Sequence, residues 1–348
     1  MNERKGESAR MKIRKTGKRG VALMLGMICM VITLTSCKRQ NEEEAFVNRI
    51  GYALNTQIEI TIYGTDNEQL ITDCFTLCAQ YEKMFSRTME NSDISLLNEK
   101  GEQAVSDETA ELLQKGLYYS ELSKGAFDIT IEPVSSLWDF TSGENELPDS
   151  ALIKERLPHI DYRKVHLKDN FVSLEKGMGI DLGAIAKGYI ADRLKEYLQD
   201  KGVESAYINL GGNVLCIGNK LSGEDFVIGI RNPKSSAGEP IVGVSVSDKS
   251  VVTSGTYERY IVVDGKKYHH ILNPKTGYSY ENGLDSVTII SEKSVDGDGL
   301  STTCFALGLE EGIELIDSID NVWAMFIDQD GNITYSEGFK ENIPCKEY

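Results

Sequence analysis

Four short stretches of the chain hold residue types that could act together on a phosphate ester. Asp298 and Thr302 stand four apart in Asp298-Gly299-Leu300-Ser301-Thr302, on one face at the start of a helix predicted over about Gly299–Leu307. Hard oxygen ligands, few in number, suit a Mg²⁺ that keeps waters and shares phosphate oxygens with a substrate. A plainer reading makes Asp298 an N-cap and Thr302 a hydroxyl bonded back to its own helix. His269 and His270, half of the four histidines, lie in a strand-to-turn segment that runs on to Gly277. Neighbours on a strand point to opposite faces, so one at most presents a general base and the other is structural.

Asp181 comes just before a helix predicted over Ala184–Asp200, with Lys187 in its first turns. Free amides at that helix start, beside a lysine, could receive an anion such as a phosphate. The alternative is an Asp N-cap and a solvated lysine. Gly125-Ala126-Phe127-Asp128-Ile129-Thr130 brings a carboxylate and an aromatic ring to a helix exit. Familiar catalytic patterns are missing: no Walker A, H-E-x-x-H, G-x-S-x-G or C-x-x-C occurs. Gly177–Gly183 misses the dinucleotide spacing by one residue, and Asp296-Gly297-Asp298-Gly299 continues into Leu300, which closes no calcium loop.

The elements that must carry these stretches follow from periodicity and caps. Alternation predicts a strand over Thr56–Tyr63, then a helix over about Glu68–Phe85. Ser106-Asp107 caps a second helix, Glu108–Lys124, stopped by Gly125. After the Ala184–Asp200 helix, short strands crowd together at Ala206–Leu210, Val214–Ile217, Phe226–Ile230, Ile241–Val246, Tyr257–Val263 and Val287–Ile290. Helices at about Gly299–Leu307 and Glu310–Ser318 precede a strand at Val322–Ile327. Helices mainly lead and strands dominate the second half, so the class is α+β, with antiparallel-rich sheets in one domain or two packed lobes.

The 348 residues carry a formal charge of −17, which argues against a nucleic-acid partner, since neutralising phosphates needs a basic face. Residues 1–36 hold eight Lys/Arg and two acidic residues, leaving 29 positive and 52 negative groups, a balance of −23, in the remainder. The head reads as a signal peptide: Lys12, Arg14, Lys15, Lys18 and Arg19 are followed by an apolar stretch of 14 residues, Val21–Leu34, short for a bilayer span. Leu34-Thr35-Ser36-Cys37 is similar to the lipobox of lipoproteins, which implies a lipidated Cys37 and a tether over residues 37–45 ahead of a folded domain over residues 46–345. The expected location is the extracytoplasmic face of the cell membrane, held there by the lipid. Five further cysteines, Cys74, Cys78, Cys216, Cys304 and Cys345, are an odd set without repeated spacing, which argues against a disulfide framework. Cys74 and Cys78 share a helix face and read as buried structural thiols.

Taken in order, the clusters resemble the ApbE family, the FAD:protein FMN transferases. The family's G-A-F-D-I-T-x-x-P and following L-W match Gly125–Pro133 and Leu137-Trp138, and its D-L-G-x-I-A-K-G-Y matches Asp181–Tyr189. Asn209–Asn213, Thr253–Arg259, His269–Gly277 and Asp298–Thr302 match its later motifs. The resemblance implies an enzyme that binds FAD with Mg²⁺ and moves the FMN half onto a threonine or serine hydroxyl of an acceptor flavoprotein, releasing AMP. It implies that Ala126, Phe127 and Asp128 line the flavin site, that Asp181 and Lys187 contact FAD, and that Ile271 and Leu272 close over it. Asp298, Thr302 and an oxygen of Ala184 would hold the metal, with His270 or His269 as base and Asp181 as competitor. Acceptors of the family are extracytoplasmic subunits of redox-driven ion pumps and related electron-transfer proteins.

The chain departs from the family at Leu54-Asn55-Thr56, where Met-Gly-Thr is common, and at Phe85-Ser86-Arg87-Thr88, where an aromatic residue is common. Phe127 is then the surviving ring for the flavin. Two other readings fit the same residues. One is an FAD pyrophosphatase, in which water replaces the acceptor hydroxyl; the other is a flavin-binding lipoprotein without turnover.

Overall fold

Alternation along residues 56–63 buries Ile58, Ile60 and Ile62 completely and turns Gln57, Glu59, Thr61 and Tyr63 to the other face. Each such isoleucine contributes about 1.5–3 kcal/mol of burial. The computed structural model describes residues 45–348, so the leader, Cys37 and the tether up to residue 44 lie outside the described residues. In chain order the elements are β1 (Phe46–Ala53), β2 (Thr56–Tyr63), α1 (Glu68–Phe85), α2 (Asp93–Lys100), β3 (Glu102–Ala104), α3 (Asp107–Leu122), α4 (Glu132–Ser135), α5 (Ser150–Arg156), β4 (His166–Lys168) and β5 (Phe171–Ser173). They continue with α6 (Ala186–Asp200), β6 (Ala206–Leu210), β7 (Asn213–Ile217), β8 (Phe226–Arg231), β9 (Pro240–Val246), β10 (Ser250–Gly255), β11 (Tyr260–Val263), β12 (Lys266–His269) and β13 (Leu284–Ser291). The last are α7 (Ser294–Leu307), α8 (Leu309–Asp317), β14 (Trp323–Asp328), β15 (Ile333–Tyr335), α9 (Phe339–Asn342) and β16 (Cys345–Glu347).

The class is α+β, as expected, and the unit Phe46–Tyr348 is organised by one eight-stranded sheet in the order β1-β2-β6-β7-β10-β13-β14-β15. All of its ladders are antiparallel. On one face α1, α3, α6 and α7 bury the larger core, which includes Ile71, Leu113, Ile190, Leu194 and Leu300. On the other face a three-stranded sheet, β16-β9-β8, with Phe339 of α9, closes a smaller core through Val244 and Ile228 against Val251, Ile290 and Met325. Cys74 and Cys78 are buried and unpaired in α1, where burial first of all pushes each thiol up to about 12. They are inert packing residues.

Three differences from the expected boundaries bear on the site. α6 begins at Ala186 rather than Ala184, because Ile185 and Ala186 donate to Leu182 O (3.1 and 2.9 Å) in a turn that precedes the helix. α7 begins at Ser294, a turn before Gly299, so Asp298 and Thr302 lie inside the helix and not at its start. The expected strand Tyr257–Val263 begins only at Tyr260, since Thr256 turns to give its hydroxyl to Asp285 (3.0 Å). Among the described residues, no helix is long and apolar enough to cross a membrane.

Candidate active site

α6 and α7 cross close to their first turns, and the sequence permits this because residue 188 is glycine: a Cβ there would run into the Ser294 carbonyl. Two carboxylates are exchanged across the crossing. Asp192, on α6, accepts from Ser294 N (2.8 Å) and Val295 N (2.9 Å), which caps the start of α7. Asp298, on α7, accepts from Gly188 N (2.9 Å) through Oδ2, and its Oδ1 lies 3.8 Å from Lys187 Nζ.

The second contact diverts an amide. In an unbroken helix Gly188 N would bond to Ala184 O; here it bonds to Asp298, and no backbone N–H among the described residues donates to Ala184 O. Thr302 follows Asp298 by one turn, with its hydroxyl 3.0 Å from Ser254 Oγ at the end of β10. A carboxylate, a hydroxyl and an unpaired carbonyl are hard donors. They fit a Mg²⁺ that retains waters and phosphate oxygens better than an all-protein cage. Among the described residues, no group of three His, Cys, Asp or Glu is placed to hold a metal.

The adjacent histidines part company, as strand geometry requires. His269 is buried, its Nε2–H donates to Tyr280 O (2.9 Å), and its ring edge meets Phe305. Its Nδ1 has no partner, and burial lowers its pKa. His270 is exposed, and its Nδ1 is 3.2 Å from Arg259 O. That bond assigns the proton to Nδ1 and leaves the Nε2 lone pair open. Desolvation, then the charges of His269, Arg259 and Lys187, lower its pKa. It is neutral at physiological pH.

The remaining expected site residues are held by the protein itself. Asp128 is buried, with Oδ1 accepting from Thr130 N (2.8 Å) and Oγ1 (2.7 Å) and Oδ2 from Tyr162 N (3.1 Å); burial nonetheless raises its pKa. Phe127 is buried with its ring at 6.2 Å from Tyr119, and Ala126 O accepts from Tyr280 OH (2.8 Å). Asp181 receives Ser135 Oγ (2.8 Å) and Arg87 Nε (3.1 Å) on Oδ2 and Gly183 N (2.9 Å) on Oδ1. It shapes the turn into α6 and is no N-cap. Ile271 and Leu272 are buried in two different apolar clusters, where they anchor the histidine segment.

Two cavities adjoin the elements that carry this cluster. One, of about 400 Å³, lies between α3 and α7 beside Lys115, Tyr119 and Asp296, where Lys115 Nζ is 2.9 Å from Asp296 Oδ1. The other, of about 540 Å³, opens on the far face of the main sheet. We assign the site by its converging groups and not by cavity size.

The sequence model of the ApbE family matches residues 54–326. The chain belongs to the ApbE family. Among ApbE relatives, the FAD:protein FMN transferase of Klebsiella pneumoniae is 37% identical over 289 residues, which cover 81% of this chain and 89% of that one. That of Treponema pallidum is 32% identical over 340 residues, 91% of this chain and 94% of the relative. The crystal structure of the ApbE protein of Thermotoga maritima superimposes with a TM-score of 0.79 at 31% identity, covering 85% of this chain and 99% of that one.

Beyond the residues expected from the ApbE motifs, the structure adds Ser254 beside Thr302, the Gly188 amide on Asp298, and Arg87 with Ser135 on Asp181. Ser254 lay inside a matched motif. Arg87 carried no signal, because its partner is 94 positions away in sequence.

Proposed function

We propose that the chain transfers FMN from FAD to a threonine or serine hydroxyl of an acceptor flavoprotein, with Mg²⁺, and releases AMP. The observation that carries this is the diverted helix start, where Asp298 takes the Gly188 amide and faces Lys187 while Ala184 O lacks its donor. Asp298, Thr302 and Ala184 O would hold Mg²⁺, which when bound neutralises charge on the phosphate oxygens. Lys187 stands beside them to meet the pyrophosphate.

His270 accepts the proton of the acceptor hydroxyl on Nε2, held in that tautomer by Arg259 O. The hydroxyl oxygen attacks the phosphorus of the FMN half, the bond to the AMP oxygen breaks, and AMP leaves with the electron pair. The products are a phosphoester-linked flavin, AMP and one proton. A ring with a lowered pKa is a weak base in the free protein. The pyrophosphate, arriving beside Lys187 and Arg259, offsets the charges that lower it, so substrate binding raises the basicity of His270. Asp181, engaged on both oxygens, serves by fixing the turn that presents Lys187.

The leader and Cys37 support a lipoprotein on the extracytoplasmic face of the membrane, with acceptors among extracytoplasmic electron-transfer proteins. Intact-mass spectrometry of the chain from Lys38 onwards, given FAD, Mg²⁺ and an acceptor domain, tests the reading. The expected result is one added FMN on the acceptor, abolished by chelator. Free FMN and AMP with an unmodified acceptor would instead establish an FAD pyrophosphatase.

A further inference from the structure

The far face of the main sheet is only half covered. The β8-β9-β16 sheet packs over β7, β10, β13 and β14 and reaches Tyr63 of β2 and Tyr207 of β6, leaving β1 open on the far side of the cavity of about 540 Å³. Phe46, Ile50 and Tyr52 on β1 are 59%, 56% and 73% exposed there, and Val227 on β8 is 56% exposed. Apolar side chains grouped in this way mark an interaction surface.

The wall of this groove is an unpaired strand edge. Ser245 N donates to Pro344 O and Tyr348 N to Ile241 O, so the odd residues of β9 bond to β16 and the even ones face β8. In the register Val244↔Ile228 and Val246↔Phe226, the even residues of β8 answer them. Val227 and Gly229 are left with N–H and C=O turned outward, and among the described residues nothing bonds to them. An open edge of this kind is a template for another strand.

The groove is continuous with the reacting end. Its lining runs from Tyr63 and Tyr207 past Asn209 and Gly212 to Tyr257 and Glu258. Thr253 and Glu258 line it, and the residues that follow them reach the site: Ser254 Oγ is 3.0 Å from Thr302 Oγ1, and Arg259 O is 3.2 Å from His270 Nδ1. A strand laid along β8 would therefore be led toward the threonine and histidine of the site.

We propose that this groove docks the acceptor: an extended, largely uncharged segment of the acceptor protein pairs with Val227 and Gly229 and delivers its threonine or serine to the site. The proposal rests on the transferase reading but is tested apart from it. Val227→Pro removes one outward N–H and leaves the β8–β9 ladder intact, since proline is tolerated at such edge positions. With an acceptor domain whose receiving threonine is changed to valine, amide hydrogen exchange of the wild-type chain should slow in residues 226–231. In transfer assays Val227→Pro should raise the acceptor KM about tenfold, with kcat and FAD affinity unchanged.

Unchanged exchange in 226–231, or an acceptor KM within twofold of wild type, would overturn the docking site. Slowed exchange that depends on the concentration of this chain alone would also overturn it, by assigning the edge to a second copy. Slowed exchange with acceptor, but no FMN transfer to the unmodified acceptor, would uphold the docking site and sink the transferase reading. The exchange measurement needs no variant, so a misfolded Val227→Pro leaves it decisive.

Discussion

Asp192 and Asp298 make the same contact in opposite directions across one helix crossing, yet only one of them has an oxygen left for chemistry. Asp192 places both oxygens on the amides of Ser294 and Val295, and burial raises its pKa to about 6. Asp298 is as deeply buried but uses one oxygen on Gly188, turns the other toward Lys187, and is followed one turn later by Thr302. Two carboxylates with like burial and like partners thus divide into a structural cap and the proposed metal ligand. The difference is a single unanswered oxygen and the unpaired Ala184 carbonyl next to it.

The comparison breaks most visibly at the site. Asp298→Ala should lower transfer at least about a thousandfold, as loss of a metal and charge-stabilising ligand does, whereas Asp192→Ala should leave kcat within a few-fold when assayed below its melting temperature. Next in size, His270→Gln should lower kcat about 10²–10⁴-fold with FAD affinity kept, and His269→Gln should affect stability far more than rate. Equal rate losses in the two histidine variants would refute the assignment to His270.

The lowered pKa of His270 has a direction that kinetics can read. The base must be unprotonated, so activity is present above its pKa and is lost as pH falls through it. The acid limb of kcat/KM, a property of the free protein, should therefore lie below the ordinary histidine range. A limb at or above pH 6.5 would contradict the cleft environment.

Asp192 sharpens the comparison through stability. Its pKa is raised from 3.8 to about 6, so the folded chain holds this proton more tightly than the unfolded one. That contribution is complete below about pH 4 and is lost as pH rises through about 6. Relative to wild type, Asp192→Asn should gain of the order of 1–3 kcal/mol between pH 4 and 7, measured by urea unfolding at each pH. Parallel stability curves would mean that the cap is not the buried, ionising group described. The smallest effect is expected from Arg87→Ala: its partly exposed pair with Asp181 is worth about 0.2–1 kcal/mol, so the melting temperature should barely move.

Legibility in the sequence follows burial pattern. β2 and α1 were readable to the residue, because one alternates strictly and the other starts at Asn67, whose side chain caps Gln69 N (3.1 Å). β10 escaped detection because Ser250–Gly255 is covered on both faces and does not alternate. The first turn of α7 was hidden because Asp296-Gly297-Asp298-Gly299 has the composition of a loop, glycine being a poor helix former. Gly297 is required by close packing, since a Cβ there would lie 2.9 Å from Val252 Cγ2. Site composition was legible because the motif residues cluster along the chain, but the roles were not. That Asp181 is tied down by Arg87, and that His269 faces Phe305 while His270 faces water, depend on partners far away in sequence or on which face a strand buries.

The most direct test is a single-turnover comparison of Asp298→Asn and Asp192→Asn, each given FAD, Mg²⁺ and an acceptor domain, with AMP release and acceptor mass read from the same sample. The account predicts that Asp192→Asn releases AMP in step with flavin gained by the acceptor, and that folded Asp298→Asn does neither. Transfer by Asp298→Asn at the wild-type rate would contradict it.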